Sequence, residues 1–267
     1  MDKIIGFIGG GNMASAIIGG ILQSGLAAKE QIIATAKTEH TLTSLRERFG
    51  ITAIADNQQA ASQSDILFLA VKPYLFSEII SQVKDCIRPE TLIISIAAGQ
   101  TMEKIETLFG KDVKLVRAMP NTPALVGEAM TALCTNQNIT ETELADAMAI
   151  FNSFGKCETV PETMMDTVIG VSGSSPAYVY LFIEAMADAA VADGMPRAQA
   201  YKFAAQSVLG AAKMVLETET HPGALKDAVC SPGGTTIEAV AVLEQQGLRS
   251  AVISAQRACV QKSKDMT

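Results

Sequence analysis

The sequence predicts an α/β fold: an N-terminal, doubly wound, mostly parallel sheet of the Rossmann type over residues 1–160, followed by an all-helical domain over residues 161–267. Three observations carry that expectation. An isoleucine-rich run from Ile4 to Ile8 breaks into Gly9-Gly10-Gly11 and then into a segment whose apolar residues recur at helical spacing. Aliphatic runs and amphipathic segments then alternate, which requires crossover connections and a parallel sheet covered on both faces. From Glu162 onward only helical patterns remain.

The first strand, turn and helix carry the most chemistry. Gly9, Gly11 and Ala14 fall on the G-x-G-x-x-G/A pattern. There the first glycine lets the chain turn, the second lets backbone approach a pyrophosphate, and the small third residue lets the helix pack closely on the strand. The unpaired N–H groups at that helix start, with the helix dipole behind them, suit phosphate. Further strands are expected at Ile32 to Ala34, Ile66 to Val71, Leu92 to Ile96 and Lys114 to Arg117, with Glu128 to Thr135 and Lys156 to Val160 as additions. Helical period marks His40 to Phe49, Leu75 to Val83 and Met102 to Leu108.

Ligands of such sheets bind at the carboxyl ends of the strands. After the second strand the chain reads Ala34-Thr35-Ala36-Lys37-Thr38, with no acid before Glu39. An acid there would hold the ribose hydroxyls of NAD, whereas a 2′-phosphate needs hydroxyls and a cation, so NADP is favoured over NAD, with Thr35 and Lys37 as its contacts. The ends Ala70-Val71-Lys72-Pro73 and Ala97-Ala98-Gly99 would let a cofactor lie across the strand tips. The rigid loop Met119-Pro120-Asn121-Thr122-Pro123 suits either a nicotinamide wall or a plain structural turn.

In the helical part, Ser175 before Pro176 predicts an N-cap for a helix reaching Ala192, and Gly194-Met195-Pro196 separates it from an alanine-rich helix, Arg197 to Glu217. His221-Pro222-Gly223 marks a break. Ser231-Pro232-Gly233-Gly234-Thr235-Thr236, leading into a helix from Ile237 to Gln246, offers free amides and hydroxyls at a positive dipole end, which suits a small carboxylate or a simple capped turn. Helices so apolar all round call either for a second copy of the chain to bury them, in an intertwined helical dimer, or for a compact helical bundle on the first domain of a monomer; the dimer is the expectation.

Composition narrows the function classes. A net charge of -7 argues against nucleic acid as the main partner. The uncharged stretch from Ile4 to Ala28 contains seven glycines, which argues against a membrane span or a signal peptide, so a cytoplasmic protein is expected. Five scattered cysteines without a C-x-x-C pair suit reduced thiols. With only His40 and His221 available, no metal site is expected.

Gly9-Gly10-Gly11-Asn12-Met13-Ala14, Ala70-Val71-Lys72-Pro73, Met119-Pro120-Asn121-Thr122-Pro123, Gly173-Ser174-Ser175-Pro176-Ala177-Tyr178 and, most specifically, His221-Pro222-Gly223 with Ser231-Pro232-Gly233-Gly234-Thr235-Thr236 resemble the pyrroline-5-carboxylate reductases over essentially the whole chain. That resemblance implies hydride transfer from NADPH, or NADH, to the C=N bond of 1-pyrroline-5-carboxylate, giving L-proline. It implies a homodimer that assembles further in many members, for instance into a decamer. It places the pyrophosphate at Ile8, Gly9, Gly10, Gly11, Asn12 and Met13, the adenosine side at Asn57, and the nicotinamide half at Ala70, Val71, Lys72, Pro73, Ala97 and Ala98. Substrate contacts fall to Glu162, Ser231, Gly233, Gly234, Thr235 and Thr236, with the Thr236 hydroxyl on the ring nitrogen as the catalytic group.

Two other readings remain open. A hydroxyacid oxidoreductase of the same plan would need a lysine or histidine for alcohol proton transfer, and Lys202 and Lys213 sit on long helices without a supporting motif. A nucleotide-binding regulator without activity would have no use for the paired threonines of the Ser231–Thr236 loop.

Overall fold

The computed structural model describes residues Met1–Met266. It divides into two compact units, Met1–Gly173 with the chain from Val260 onward, and Ser174–Cys259.

The first unit is built on an eight-stranded sheet: β1 (Ile5–Ile8), β2 (Ile32–Thr35), β3 (Thr52–Ile54), β4 (Ile66–Leu69), β5 (Leu92–Ser95), β6 (Lys114–Met119), β7 (Ala129–Thr135) and β8 (Gly155–Thr159). The spatial order is β3-β2-β1-β4-β5-β6-β7-β8. Neighbours pair in parallel except β6 with β7. In β1, β2, β4 and β5 every residue is buried, as expected of strands covered on both faces.

Helices α1 (Asn12–Gln23), α2 (Glu39–Phe49) and α6 (Glu141–Asn152) cover one face, and α3 (Asn57–Gln63), α4 (Phe76–Val83) and α5 (Met102–Phe109) the other. On the first face Phe7 stacks on Phe68 at 4.6 Å and Phe151 meets Phe68 edge-on at 6.0 Å, geometries that suit the ring quadrupoles. Helix α1 buries Ala14, Ile17, Ile18 and Ile21, the i, i+3, i+4, i+7 stripe of its sequence. Gly20 on that helix leaves the space that Phe154 occupies: a Cβ there would lie 2.4 Å from the Phe154 Cβ.

The sequence expectations miss β3, whose three residues include an exposed Thr52 and carry too little apolar signal to stand out. They also overrun β4 and β5, because Ala70-Val71 and Ile96 continue the apolar run after the ladder has ended. Past β8 the short α7 (Met165–Val168) runs into a π-helical turn, Ile169–Gly173.

The second unit contains α8 (Ser175–Ala192), α9 (Arg197–Thr218), α10 (Pro222–Val229) and α11 (Thr235–Gln245), and most of α12 (Leu248–Lys264). Ser175, expected as an N-cap, is the first helical residue instead; the cap is Ser174, in αR geometry, whose side chain accepts from no helix amide. The chain enters from a turn that is already helical, so no extended capping residue is formed. His221-Pro222-Gly223, expected as a break, begins α10, with His221 Nδ1 accepting from the Gly223 N–H at 3.1 Å and Pro222 at the first helical position. Within this unit α8 packs on α9, yet Leu181, Phe203 and Leu216 remain 65%, 65% and 76% exposed. Side chains of that size exposed along two helices mark a surface built for another chain. No helix among the described residues is long and apolar enough to cross a membrane.

One ion pair of the first unit makes stability depend on acid. Burial raises the pKa of Glu143, but hydrogen bonds from Lys114 and from both the amide and hydroxyl of Thr140 outweigh it and hold the carboxyl below its ordinary value. A carboxyl whose folded pKa lies below its unfolded one stabilises the fold above the unfolded value, and the contribution disappears as pH falls through the folded value. Glu143→Gln should therefore flatten the loss of stability below about pH 4.5. Urea midpoints measured from pH 6 to pH 3 will show it; parallel curves for both proteins would remove the pair from that role.

Candidate functional site

The cofactor cradle is made by the strand order. β1 pairs with β2 on one side and β4 on the other, so the tips Ile8, Thr35 and Leu69 lie in register. The chain leaves β1 through Gly9, whose φ of +107° is open to glycine, and a Cβ there would lie 2.6 Å from the Ala70 carbonyl oxygen. Gly11 is different. Its φ of -76° suits any residue and nothing lies within 4 Å of where its Cβ would be. The protein itself has no need of a glycine at that position; the open space is where a ligand's phosphates would approach.

Helix α1 begins there without a side-chain cap and without an acid in its first turn. Its first intrahelical bond runs from Ser15 N–H to the Gly11 carbonyl at 2.9 Å, so the amides of Asn12, Met13 and Ala14 precede the ladder and point outward. The observed cradle fits a pyrophosphate on both counts, space and unpaired donors. Around it lie Ala70, bonded to the Ile8 carbonyl at 2.9 Å, then half-buried Val71, exposed Lys72, and Pro73 at the start of a 3-10 turn. Ala97 is buried and Ala98 exposed beyond the tip of β5.

At the β2 tip the two expected phosphate contacts differ. Lys37 is exposed. Thr35 is 2% exposed; its hydroxyl donates to Asn57 Oδ1 at 2.7 Å and accepts from the Gly9 N–H at 3.2 Å. Asn57 in turn donates to Gln82 Oε1 at 3.1 Å. The structure thus brings Thr35, Asn57 and Gly9 together and leaves Lys37 outside that group.

Glu162 is also engaged. One carboxylate oxygen accepts from the Arg117 guanidinium at 2.7 Å and from the Met102 N–H, the first amide of α5, at 2.8 Å. Arg117 lies in β6 with its side chain 3% exposed, so this pair compensates a buried charge. Behind it burial, with the Glu162 charge, pushes the Cys134 thiol up to about 12 against the opposing pull of Arg117, which leaves it protonated and inert. Asn121 is a second junction: its Nδ2 donates to the Ser172 carbonyl at 3.0 Å and its Oδ1 accepts from the Met130 N–H at 2.9 Å. It ties the end of β6 to β7 and to the π-helical turn. Sequence reasoning assigned neither Arg117 nor Asn121 to a partner, although a charge between Val116 and Ala118 in a buried strand was itself a signal that one must exist.

The second unit contains a comparable glycine-capped helix start. Ser231 to Gly234 form a turn closed by Gly234 N–H on the Ser231 carbonyl at 3.0 Å, with Gly233 at φ +66°. A Cβ on Gly234 would fall 2.3 Å from the Ser231 Oγ. Helix α11 starts at Thr235, two residues before the expected Ile237, with Gly234 as an N-cap that has no side chain to donate to. The amides of Thr235, Thr236 and Ile237 precede the first ladder bond, Glu238 N–H to the Gly234 carbonyl. Thr236 is half-buried, while Ser231, Gly233 and Thr235 are exposed. The helix start is therefore open to an outside carboxylate, with threonine hydroxyls beside it.

Residues 162–266 match the family model described as pyrroline-5-carboxylate reductase dimerisation, and residues 4–99 match NADP oxidoreductase, coenzyme F420-dependent. The pyrroline-5-carboxylate reductase of Escherichia coli (strain K12) is 52% identical over 100% of this chain and 99% of its own length; that of Synechocystis is 46% identical over the same shares. The solved structure of the Coxiella burnetii reductase superimposes with a TM-score of 0.94 at 37% identity, covering 100% of this chain and 99% of that one. The Plasmodium falciparum enzyme with NADP bound gives 0.88 at 34%, covering 99% and 98%. Two glycine-capped helix starts and a dimerisation domain thus occur in one chain whose relatives match it from end to end, and the chain belongs to the pyrroline-5-carboxylate reductase family.

Proposed function

We propose that the protein reduces 1-pyrroline-5-carboxylate to L-proline with NADPH, the last step of proline biosynthesis. The observation that supports this most directly is the α11 start, where a glycine cap leaves the amides of Thr235, Thr236 and Ile237 ahead of the first ladder bond, free for a carboxylate. When bound, NADPH supplies a hydride to the imine carbon. The chain does the rest. The amides of Asn12, Met13 and Ala14 hold the pyrophosphate, Lys37 attracts the 2′-phosphate, and the α11 amides orient the substrate by its carboxylate. The Thr236 hydroxyl donates or relays a proton to the lone pair of the ring nitrogen, and the product amine keeps that proton. A protonated imine is already electrophilic, so positioning and exclusion of water suffice and no strong acid is required.

The exposed apolar side chains of α8 and α9 support a dimer through the helical unit, and a larger ring such as a decamer is the assembly we assign to it; light scattering on the eluting protein reads the number of copies directly. The five free thiols suit a reducing cytoplasm.

The test is consumption of NADPH, followed at the nicotinamide band, on addition of pyrroline-5-carboxylate. Absorbance that stays flat with this substrate but falls with a different cyclic imine would overturn the substrate. Thr236→Ala is expected to lower kcat by about tenfold to a hundredfold with little change in NADPH affinity. Equal losses in both would take Thr236 away from the ring nitrogen.

A further inference from the structure

We infer that Glu162 is a positioning residue for hydride transfer: it holds the start of α5, and through it the loop of residues 96–101, where Ala97 and Ala98 meet the nicotinamide. This deepens the reading of the protein as an NADPH-dependent imine reductase and rests on it.

The loop joins the tip of β5 to α5, and its backbone is held at its two ends. The Ile96 N–H donates to the Leu69 carbonyl at 3.4 Å, and the Met102 N–H donates to Glu162 Oε1 at 2.8 Å. Between them, among the described residues, the amides of Ala97, Ala98, Gly99, Gln100 and Thr101 have no hydrogen-bond partner. Two side-chain oxygens of the same stretch, Ser95 Oγ and Gln100 Oε1, are likewise buried and unpaired. A segment with so few bonds of its own takes its position from its ends. One end belongs to the sheet; the other depends on a side chain 60 positions away.

That side chain is itself fixed. The same Glu162 oxygen accepts from the Arg117 guanidinium at 2.7 Å, and the Arg117 side chain is 3% exposed. In the β5–β6 register Arg117 stands beside Ser95, the last residue of β5. The carboxylate therefore ties the α5 start to the strand that flanks the loop, and the helix dipole favours it there. Thr101 Oγ1 accepts from a different amide, that of Lys104, at 3.2 Å, so it does not substitute for Glu162. Across the sheet β5 is separated from β1 by β4 alone, about 10 Å at the usual strand spacing. With the pyrophosphate on the Gly9–Gly11 turn, the loop meets the far end of the dinucleotide, where the hydride leaves. Misplacing reacting atoms by about 1 Å costs on the order of a hundredfold in rate, while the phosphate contacts at α1 are untouched.

The bond can be removed without removing Glu162, because Met102 is the first residue of α5, where helices accept proline. Thr101 before it is already extended, at φ -73° and ψ 157°, as a residue preceding proline prefers. Met102→Pro deletes the N–H; Met102→Ala loses the same side chain, keeps the N–H and is the reference. Glu162→Gln keeps the reach of the side chain and loses its charge, whereas Glu162→Asp keeps the charge beside Arg117 and is one methylene short of serving both donors. Each full-length protein is measured for kcat and KM with pyrroline-5-carboxylate, for NADPH affinity by nucleotide fluorescence, and for its thermal midpoint. Met102→Pro should turn over about tenfold to a hundredfold more slowly than Met102→Ala, with Kd for NADPH within about twofold. Glu162→Gln should keep more of the turnover than Glu162→Asp. A bond that serves stability alone gives equal kcat for the two Met102 variants, and turnover of the two Glu162 variants in the order of their thermal midpoints, with Asp ahead of Gln; either result overturns the inference. So does a Met102→Pro loss of the same size in NADPH affinity as in kcat. If Met102→Pro does not fold, the order of the two Glu162 variants decides alone. Wild-type protein that leaves NADPH unoxidised with pyrroline-5-carboxylate overturns the functional reading and the inference with it, a result distinct from an active wild type with unresponsive variants.

Discussion

Gly11→Val is expected to weaken NADPH binding by about a hundredfold to a thousandfold while leaving the thermal midpoint of the free protein unchanged. The two halves of that result have separate causes. Stability is untouched because Gly11 has an ordinary φ of -76° and no neighbour within 4 Å of its would-be Cβ. Binding suffers because the branched side chain fills the approach to the amides of Asn12, Met13 and Ala14. Losing two or three hydrogen bonds to a charged group costs about 3–4 kcal/mol, which sets the factor. Calorimetric titration with NADPH, with a melting curve on the same samples, measures both. A variant that binds normally would mean the phosphates lie elsewhere; one that melts early would mean Gly11 has a folding role the geometry does not show. Gly9→Val would confuse the two effects, since Gly9 combines a positive φ with the Ala70 contact.

Glu162→Ala should be the most destabilising single change of a charged residue, by about 3–5 kcal/mol, because it leaves the Arg117 guanidinium buried without its counter-charge. The Arg117 Nε is already buried without a hydrogen-bond partner, so the site has no reserve to absorb the loss. The same substitution frees the Met102 amide at the start of α5, loosening the segment that follows Ala97 and Ala98. Urea unfolding at one fixed protein concentration is the appropriate measurement, since stability of a dimer depends on concentration. A loss under about 1 kcal/mol would show that water reaches Arg117. Glu162→Gln, which keeps the acceptor and removes the charge, separates hydrogen bonding from electrostatics.

The geometry of the candidate site was legible in the sequence wherever it depends on near neighbours in the chain. Gly9-Gly10-Gly11 before an apolar helical stripe announces a tight turn into a helix, and Gly233-Gly234-Thr235-Thr236 announces an open helix start. Both are consequences of local backbone geometry: helices leave their first amides unpaired whatever surrounds them. Alternation of strands with helices likewise pointed to the parallel sheet, because buried strands must read as continuous apolar runs. Residues joined across long stretches of chain were harder to read. Thr35 stands out in the sequence only as a hydroxyl after a strand; its bond to Asn57, 22 positions away, is visible only in the fold. Glu162 pairs with Arg117 across 45 positions, and β3 escaped notice because its partner β2, not its own three residues, makes it a strand.

The sequence by itself determined the two glycine-rich approaches to helices, the alternation of strands and helices in the first unit apart from β3, and the apolar surplus of α8 and α9, all of which follow from backbone rules and side-chain pattern within a few turns. The tertiary structure alone decided that β1 lies between β2 and β4. That placement packs Gly9 against Ala70 and turns the Thr35 hydroxyl to Asn57, because sheet order is chosen by burial summed over the whole domain and no short segment contains that sum.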